Sequence, residues 1–404
     1  MILQNIFNKN NVGAFVLGIL AFEGFGIRFL NGVLPSPILW WTALLVLMNR
    51  DYIIQMKYTF WIKTFLLVAF YITFNIIKGI PVESFIFAAW LSAAIVLTRY
   101  VNRRDLFIED IRKLSFFCMW YHLLHILVCF VFSGFFHQVK IDDYPYTTFS
   151  YLFWYGGHGF NEFGLLRPCG FAWEPSCWNI FLNLNLVFQL YKSKNKKNIV
   201  LAIVSILFTF STTALVTMFA ILSLFYFYKI KSKDFVRYFF TGGIVLLMVY
   251  PFVSKNFIEK MGTGSGQARG GDFVMAAAVL RKNPIMGENL NDIANVTYAM
   301  NARENYWTAD TNNQNLQMAA GMTNGFAGLL VEWGLIISLV VFYCTLKTPL
   351  IEDKKLKWLY LLAMFMVLMG SPISRTGFFY VYPFSFILLN RKKGFFENYT
   401  YCKE

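Results

Sequence analysis

Charged residues are scarce in this sequence. Of its 404 residues, 14% are Asp, Glu, Lys or Arg, whereas 57% are hydrophobic and 19% are aromatic. A soluble core of this length does not need so much apolar surface, so the composition excludes an ordinary soluble protein and predicts a polytopic membrane protein. Acidic residues are especially rare, because 22 of them stand against 36 basic residues, which gives a formal net charge of +14.

The excess of positive charge does not point to nucleic acid. Lys and Arg occur in short clusters between apolar runs and not along one face of the chain. Such clusters are typical of the cytoplasmic loops of membrane proteins. We therefore interpret the basic residues as topology signals and expect no nucleic-acid partner.

The motifs of several other function classes are missing as well. The six cysteines form no CxxC pair and no metal-ligand spacing. The glycine-rich stretch from Gly262 to Gly266 follows no βαβ pattern and lacks a Lys-Ser/Thr continuation, so neither nucleotide-binding fingerprint is met. No heptad run predicts a coiled-coil scaffold. Only Cys169 and Cys177 share a predicted external loop. The sequence leaves open whether they form a disulfide or remain two thiols.

Apolar runs of membrane-spanning length dominate what is present. About twenty residues cross a bilayer, and runs near that length occur at 12–29, 33–49, 60–77, 84–100, 114–136, 175–191, 237–253, 324–346, 357–370 and 376–390. A longer run, 199–228, is interrupted by three hydroxyl residues at 211–213 and has basic clusters on both sides. Both of its ends are therefore predicted to be cytoplasmic, and the run is predicted to form two helices that turn at the hydroxyl residues.

These runs predict a single all-α integral membrane domain, residues 1–404, with about 12 transmembrane helices and both termini in the cytoplasm. The first run lacks a small-residue cleavage site, so we expect no cleavable signal. Two larger loops, 137–175 and 254–323, are expected outside the membrane, the second with short helices of its own.

Loop 254–323 contains the pattern that most strongly suggests a binding site. Arg269 and Arg281 bracket an apolar stretch that starts at Asp272 after two glycines and stops before Pro284, which predicts a short helix with Asp272 as its N-cap. Arginines near an exposed helix N-terminus are suited to bind phosphate or carboxylate. A flexible linker with a helix capped by Asp272 is the alternative.

Loop 137–175 is rich in Tyr, Phe and Trp. Their faces can stack on sugar rings, but Tyr and Trp also collect at membrane interfaces because they are amphipathic, and both interpretations are open. Arg167 and Glu174 lie where the chain re-enters the membrane, and a charge there needs a partner or a water-filled cavity.

Few ionisable residues fall inside the predicted spans. His122 and His125 lie three residues apart and so share a helix face, which fits a proton path, a metal pair or interhelical hydrogen bonds. We interpret Glu332 as a helix-packing or cavity residue.

Four stretches follow one another between residues 167 and 336. They are RPCGFAWEPSCWNIFLNLNL, FTFSTTALVTM, ARGGDFVMAAAVLRKNPIMGENL and NGFAGLLVEWGLI. In their order and spacing, over roughly residues 150 to 345, they resemble the O-antigen polymerase and ligase superfamily of bacterial membrane proteins. The resemblance implies a GT-C-like glycosyltransferase that transfers an undecaprenyl-pyrophosphate-linked oligosaccharide to an acceptor hydroxyl on the periplasmic side, without a metal or cofactor.

The resemblance also implies roles for charged groups outside the inner membrane. The candidates for binding the pyrophosphate are Arg269, Arg281, Arg167 and Arg375, of which Arg269 agrees best with the local pattern. The candidates for removing the acceptor's proton are Glu174 and His158. The implied partners are the lipid-linked oligosaccharide, the lipid bilayer and a chain-length regulator.

Two other functions remain as alternatives. Ligases of the superfamily resemble one another in having a histidine late in the large loop, whereas no histidine lies between residues 254 and 323, which favours a polymerase. A flippase for lipid-linked oligosaccharides would also have about twelve spans, but it should have short external loops and charges along a central cavity.

Overall fold

The structure is a computed structural model that describes residues 11–25, 37–141, 144–156, 166–172, 175–229, 264–289, 293–308 and 322–389, and the apolar runs within these ranges are helical. The first helices are α1 (Val12–Phe25), α2 (Pro37–Met48), α3 (Arg50–Ile54), α4 (Tyr58–Ile77), α5 (Ser84–Thr98) and α6 (Arg104–Val131). The later helices are α7 (Pro175–Phe188), α8 (Lys196–Leu207), α9 (Thr212–Lys229), α10 (Gly264–Lys282), α11 (Thr297–Thr308), α12 (Gly325–Leu346), α13 (Lys354–Gly370) and α14 (Gly377–Leu389). The predicted span 237–253 lies outside the described residues.

Several of the described helices are suited to a membrane. The helices α4, α6 and α12 are long and apolar enough to cross one, and α1, α5, α9 and α14 are apolar but shorter. On α4, Phe65 is 70% exposed and Ile77 is 69% exposed. Contiguous exposed apolar surface of this kind is rare on soluble monomers. The molecule is thus a mostly helical membrane protein.

The run 199–228 forms two helices, as predicted. Helix α8 ends at Leu207 and α9 begins at Thr212. In the turn, the Thr209 hydroxyl donates to the Ile206 carbonyl at 2.7 Å, and the Ser211 hydroxyl accepts from the Ala214 amide at 3.4 Å. Hydroxyl side chains therefore satisfy backbone groups that the two helix ends leave over, which explains why the turn falls at this sequence.

Loop 137–175 contains a small sheet that the all-α expectation did not include. Strands β1 (His137–Ile141), β2 (Tyr144–Phe149), β3 (Phe153–Gly156) and β4 (Arg167–Pro168) are antiparallel neighbours in that order. The sheet packs on α6, where the Tyr155 hydroxyl donates to the His125 carbonyl at 2.8 Å. Aromatic and β-branched residues favour strands when their side chains find such a surface.

Helix α7 lies in the core of the bundle. All of its residues are buried, and it packs against α6, α9 and α13. Its asparagines form side-chain hydrogen bonds. The Asn183 amide donates to the Asn179 side-chain oxygen at 2.6 Å, and the amide of Gln189, just after the helix, donates to the Asn185 side-chain oxygen at 3.1 Å. The residues between α13 and α14 lie at one end of this bundle, beside the start of α12.

Candidate functional site

Arg269 is fixed at the end of α13. It lies inside α10, and its Nη2 donates to the backbone carbonyl of Gly370 at 3.1 Å. A cation is favourable at this position because the carbonyl end of a helix carries partial negative charge. The Nε of Arg269 is buried and has no hydrogen-bond partner among the described residues. Nη2 thus anchors the guanidinium, whereas Nε has no partner among the described residues.

Two helix N-termini lie beside this arginine's anchor. A methyl group on Gly370 would lie 2.6 Å from the side chain of Thr213, in the first turn of α9, and one on Gly325, the first residue of α12, would lie 2.6 Å from the Ser371 carbonyl. Both approaches are closer than a side chain tolerates, so glycine is required at each. The starts of α9 and α12 therefore both lie beside the segment that Arg269 binds and add the positive ends of their helix dipoles there. Some of their amides are already capped, since Ser211 accepts from Ala214 and Asn324 accepts from Phe326 and Ala327.

Asp272 does not cap α10, so that prediction is wrong. The helix begins at Gly264, eight positions earlier, and Asp272 lies inside it with a fully buried side chain. Its Oδ2 accepts hydrogen bonds from the Thr323 amide at 2.7 Å, the Thr323 hydroxyl at 2.8 Å and the Asn324 amide at 3.0 Å. The carboxylate thus binds the turn before α12. Packing of α10 against α11 and α12 stabilises the helix over its glycine residues, although glycine has a low helix propensity.

Arg375 is paired with carboxylates. It lies in a short 3₁₀ turn, Ile373–Arg375, where its Nη2 donates to Glu83 and its Nε lies 3.5 Å from Oε2 of Glu332. All three side chains are less than a fifth exposed. Lys78 completes the cluster, since its ammonium donates to the backbone carbonyls of Glu332 at 2.7 Å and Glu288 at 3.2 Å. Arg375 is thus balanced by the carboxylates of Glu83 and Glu332, and Lys78 lies beside them.

Electrostatics around Lys78 and Glu288 follow from partial burial. Burial lowers the pKa of Lys78, and the carboxylates of Glu332, Glu288 and Glu83 oppose that shift. Burial, followed by the hydrogen bond to Glu288 at 2.7 Å, raises the pKa of Tyr298 to about 12. Tyr298 is therefore a hydrogen-bond donor to Glu288 at neutral pH and holds that carboxylate in place.

Helix α12 is broken next to this cluster. Gly334 has φ 67°, which interrupts the helix, and residues 284–288 fill the break. The Leu335 amide donates to the Pro284 carbonyl at 2.7 Å, and the Glu288 amide donates to the Val331 carbonyl at 2.6 Å. Backbone groups freed by the break are thus satisfied by another segment, which irregular backbone inside a membrane protein requires.

The remaining sequence candidates lie elsewhere. Arg281 is exposed in the last turn of α10, about 18 Å along the helix from Arg269 at 1.5 Å per residue. Arg167 lies on β4, which packs on β3 and α6. The structure brings Arg269 and Arg375 to the two ends of segment 370–375 and does not place Arg167 or Arg281 there. Glu174 and His158 lie outside the described residues.

Lys78, Glu83 and Glu288 were not among the sequence candidates. Lys78 and Glu83 flank the short turn between α4 and α5, and two opposite charges in so short a turn are a signal that could have been used. The signal for Glu288 is the preceding glycine, because glycine is the residue that favours positive φ, and Gly287 has φ 66°. Their convergence depends on contacts between residues more than two hundred positions apart.

The two histidines of α6 are buried in the packing of the helices. Both are fully buried, and Nε1 of Trp178 on α7 donates to Nδ1 of His122 on α6 at 3.2 Å, so the interpretation as an interhelical hydrogen bond is confirmed for His122. His125 Nδ1 lies 2.9 Å from the carbonyl of Tyr121 on the same helix. Within the described part of the chain, no group of three metal-ligating side chains exists. Cys169 and Cys177 are both buried thiols.

Comparison with known protein families and with curated proteins gave no match to this sequence.

Proposed function

We propose that the protein is a membrane glycosyltransferase that polymerises undecaprenyl-pyrophosphate-linked oligosaccharide repeat units. The product is O-antigen or capsular polysaccharide, made on the periplasmic side of the bacterial inner membrane. The proposal includes a GT-C-like arrangement of about 12 spans with both termini in the cytoplasm. Its support is the ordered series of sequence motifs together with the surroundings of Arg269.

The position of Arg269 carries the proposal. Among the described residues, no carboxylate forms an ion pair with it, and only a backbone carbonyl accepts from it. The starts of α9 and α12 add partial positive charge to the same place. An uncompensated guanidinium next to two helix N-termini suits a pyrophosphate, because charge-assisted contacts to an oxyanion are strong.

Arg375 is less suited to bind the donor directly. Its guanidinium is already engaged by Glu83 and Glu332, and a phosphate would have to compete with both carboxylates. We assign it to positioning these two acidic side chains. Arg269 is therefore the first candidate for the pyrophosphate, with Arg281 and Arg167 as candidates on other elements.

The reaction makes two demands on the protein. Pyrophosphate is a good leaving group, so its growing negative charge must be stabilised and the acceptor hydroxyl must be aligned with the anomeric carbon. Arg269 and the two helix N-termini serve the first demand. Removal of the acceptor's proton needs a base, for which Glu174 and His158 remain the proposed residues.

The test is polymer formation by the purified protein from lipid-linked repeat units. Arg269→Lys keeps the charge but loses the planar fork, so it should be nearly as damaging as Arg269→Ala. Loss of one charge-assisted hydrogen bond costs about 1.5–3 kcal/mol, and about 1.4 kcal/mol lowers a rate tenfold. Both variants should therefore polymerise at least roughly tenfold more slowly than the wild type.

Lys282→Ala is the matched control, because Lys282 is an exposed cation at the other end of the same helix. It should polymerise at the wild-type rate at equal protein level. Full activity of Arg269→Ala would place the pyrophosphate site elsewhere, and full activity of Arg269→Lys alone would show that a point charge is enough.

A deletion strain separates the alternatives. Lipopolysaccharide with one repeat unit on each lipid core indicates loss of a polymerase. Bare core indicates loss of a ligase or a flippase and would contradict the proposal.

A further inference from the structure

The turn between β2 and β3 presents apolar side chains at its tip. The Leu152 amide donates to the Phe149 carbonyl at 3.2 Å, and Ser150 and Tyr151 have φ values of 52° and 54°. Positive φ at both central residues is the geometry of a type I′ turn, which usually contains Asn and Gly. Here the turn exposes 55% of Tyr151 and 61% of Leu152.

The tip lies beside the apolar part of α6. The hydroxyl of Tyr121 donates to the Leu152 carbonyl, and the rings of Tyr121 and Phe153 are stacked with centroids 5.8 Å apart. At 1.5 Å per residue, Tyr121 lies about 15 Å before α6 ends at Val131. The turn is therefore level with the middle of the helix's apolar segment and not above its end.

The neighbouring surface of α6 is also apolar and exposed. Phe117 and Leu124 lie one turn before and one turn after Tyr121, and each is about half exposed, as is Trp120. Helix α6 is one of the helices long and apolar enough to cross a membrane. Its exposed face is the face that hydrocarbon would cover. Tyr151 and Leu152 lie beside this face, and they share the tip with the exposed Ser150 and with His137, whose ring packs against Tyr151 with centroids 4.9 Å apart.

Three backbone carbonyls of the turn have donors within the protein. Phe149 receives the Leu152 amide, Tyr151 receives Nε1 of Trp154 at 2.9 Å, and Leu152 receives the Tyr121 hydroxyl. Strands β1 and β4 cover the outer edges of β2 and β3. Hydrocarbon offers no hydrogen bonds, so non-helical backbone enters it only when its polar groups have partners of this kind.

We propose that the β2–β3 turn inserts into the bilayer beside α6 and binds lipid acyl chains through Tyr151 and Leu152. Loop 137–175 then contains a re-entrant β-hairpin and is not wholly outside the membrane. The insertion is independent of the enzymatic activity proposed above, and it predicts contact with hydrocarbon whatever reaction the protein catalyses.

Collision rates of a nitroxide spin label test this directly. Tyr151→Cys and Leu152→Cys are made in a Cys402→Ser background, labelled, and reconstituted in phosphatidylethanolamine and phosphatidylglycerol vesicles. The other five cysteines are buried. Oxygen dissolves in hydrocarbon whereas a neutral nickel chelate stays in water. Leu124→Cys on the exposed face of α6 is the lipid control, and Lys282→Cys at the exposed end of α10 is the water control.

Labels at 151 and 152 should match the label at 124, with oxygen collisions several-fold above nickel collisions. The proposal is overturned if they match the label at 282. It is also overturned if neither reagent reaches them, because protein and not lipid then covers the turn. Two adjacent positions, each checked for monodisperse protein before reconstitution, prevent one misfolded variant from deciding the result.

Discussion

Asp272 illustrates how one buried charge organises the region around α10 and α12. Its carboxylate accepts from the turn that precedes α12 and joins this turn to α10. A buried carboxylate is tolerated only when donors surround it, so α10 and the start of α12 are held together as one unit. Arg269, three residues earlier on α10, is placed by the same contact.

The Arg375 cluster permits a test of its role at the level of single side chains. Arg375→Met leaves Glu83 and Glu332 without their shared cation in a mostly buried site. Breaking a buried ion pair in this way costs about 3–5 kcal/mol, so the variant should denature at a clearly lower temperature in detergent. The triple variant Arg375→Met/Glu83→Gln/Glu332→Gln removes the unpaired charges and should recover most of that loss.

Polymer formation by the triple variant then tests whether the cluster takes part in the reaction. If Arg375 or the two carboxylates are needed, the stable triple variant should be inactive. Wild-type activity in the triple variant would exclude Arg375 from the pyrophosphate site and the two carboxylates from the reaction. Unchanged stability of Arg375→Met would contradict the ion pairs themselves.

At the scale of elements, the broken helix α12 depends on two glycines. Gly334 has a positive φ, and a methyl group there would lie 2.4 Å from the Ile285 carbonyl. Gly287 has a positive φ as well, and a methyl group there would lie 2.1 Å from the Val331 carbonyl. The break and the segment that fills it are therefore fitted to each other at backbone distance.

Gly334→Ala should lower the denaturation temperature more than Gly79→Ala does. Gly79 has φ 68° but open space around it, so its substitution tests conformational strain alone. Replacing a glycine at positive φ costs about 1 kcal/mol or more, and Gly334→Ala adds a collision between two backbones. Thermal denaturation of the two variants in the same detergent measures the difference. Equal shifts would mean that segment 284–288 does not fill the break.

At the scale of the whole molecule, the positive-inside pattern predicts the orientation of the chain. Reporter fusions at residues 195, 232 and 352 should read cytoplasmic, and a fusion at residue 300 should read external, because basic clusters flank the first three positions. Dual reporters for the two compartments, placed in full-length chains, make each position its own control. A periplasmic signal at residue 195 would contradict the prediction that the two helices on either side of residues 208–211 are two separate membrane spans.

The sequence by itself determined where the helices lie. Apolar runs of spanning length and hydroxyl, Asn or Asp residues at their ends are local signals. The structure has helices at the runs that it describes, with Asn324 and Asp353 as the N-caps of α12 and α13. The split of run 199–228 was also predictable, because charge on both sides and hydroxyls in the middle are written in the chain. The small sheet was not predicted, because its aromatic residues also indicate a membrane-interface belt or a surface that stacks on sugars.

Only the tertiary structure decided how the candidate site is assembled. Arg375 and Glu83 meet across 292 positions, and Arg269 reaches Gly370 across 101, so no local pattern connects either pair. The start of α10 at Gly264 contradicts the weak helix propensity of its glycines, since contacts with α11 and α12 outweigh a local cost of about 1 kcal/mol per glycine. Long-range packing decides such cases because it adds many contacts, whereas propensity adds a fraction of a kcal/mol at each residue.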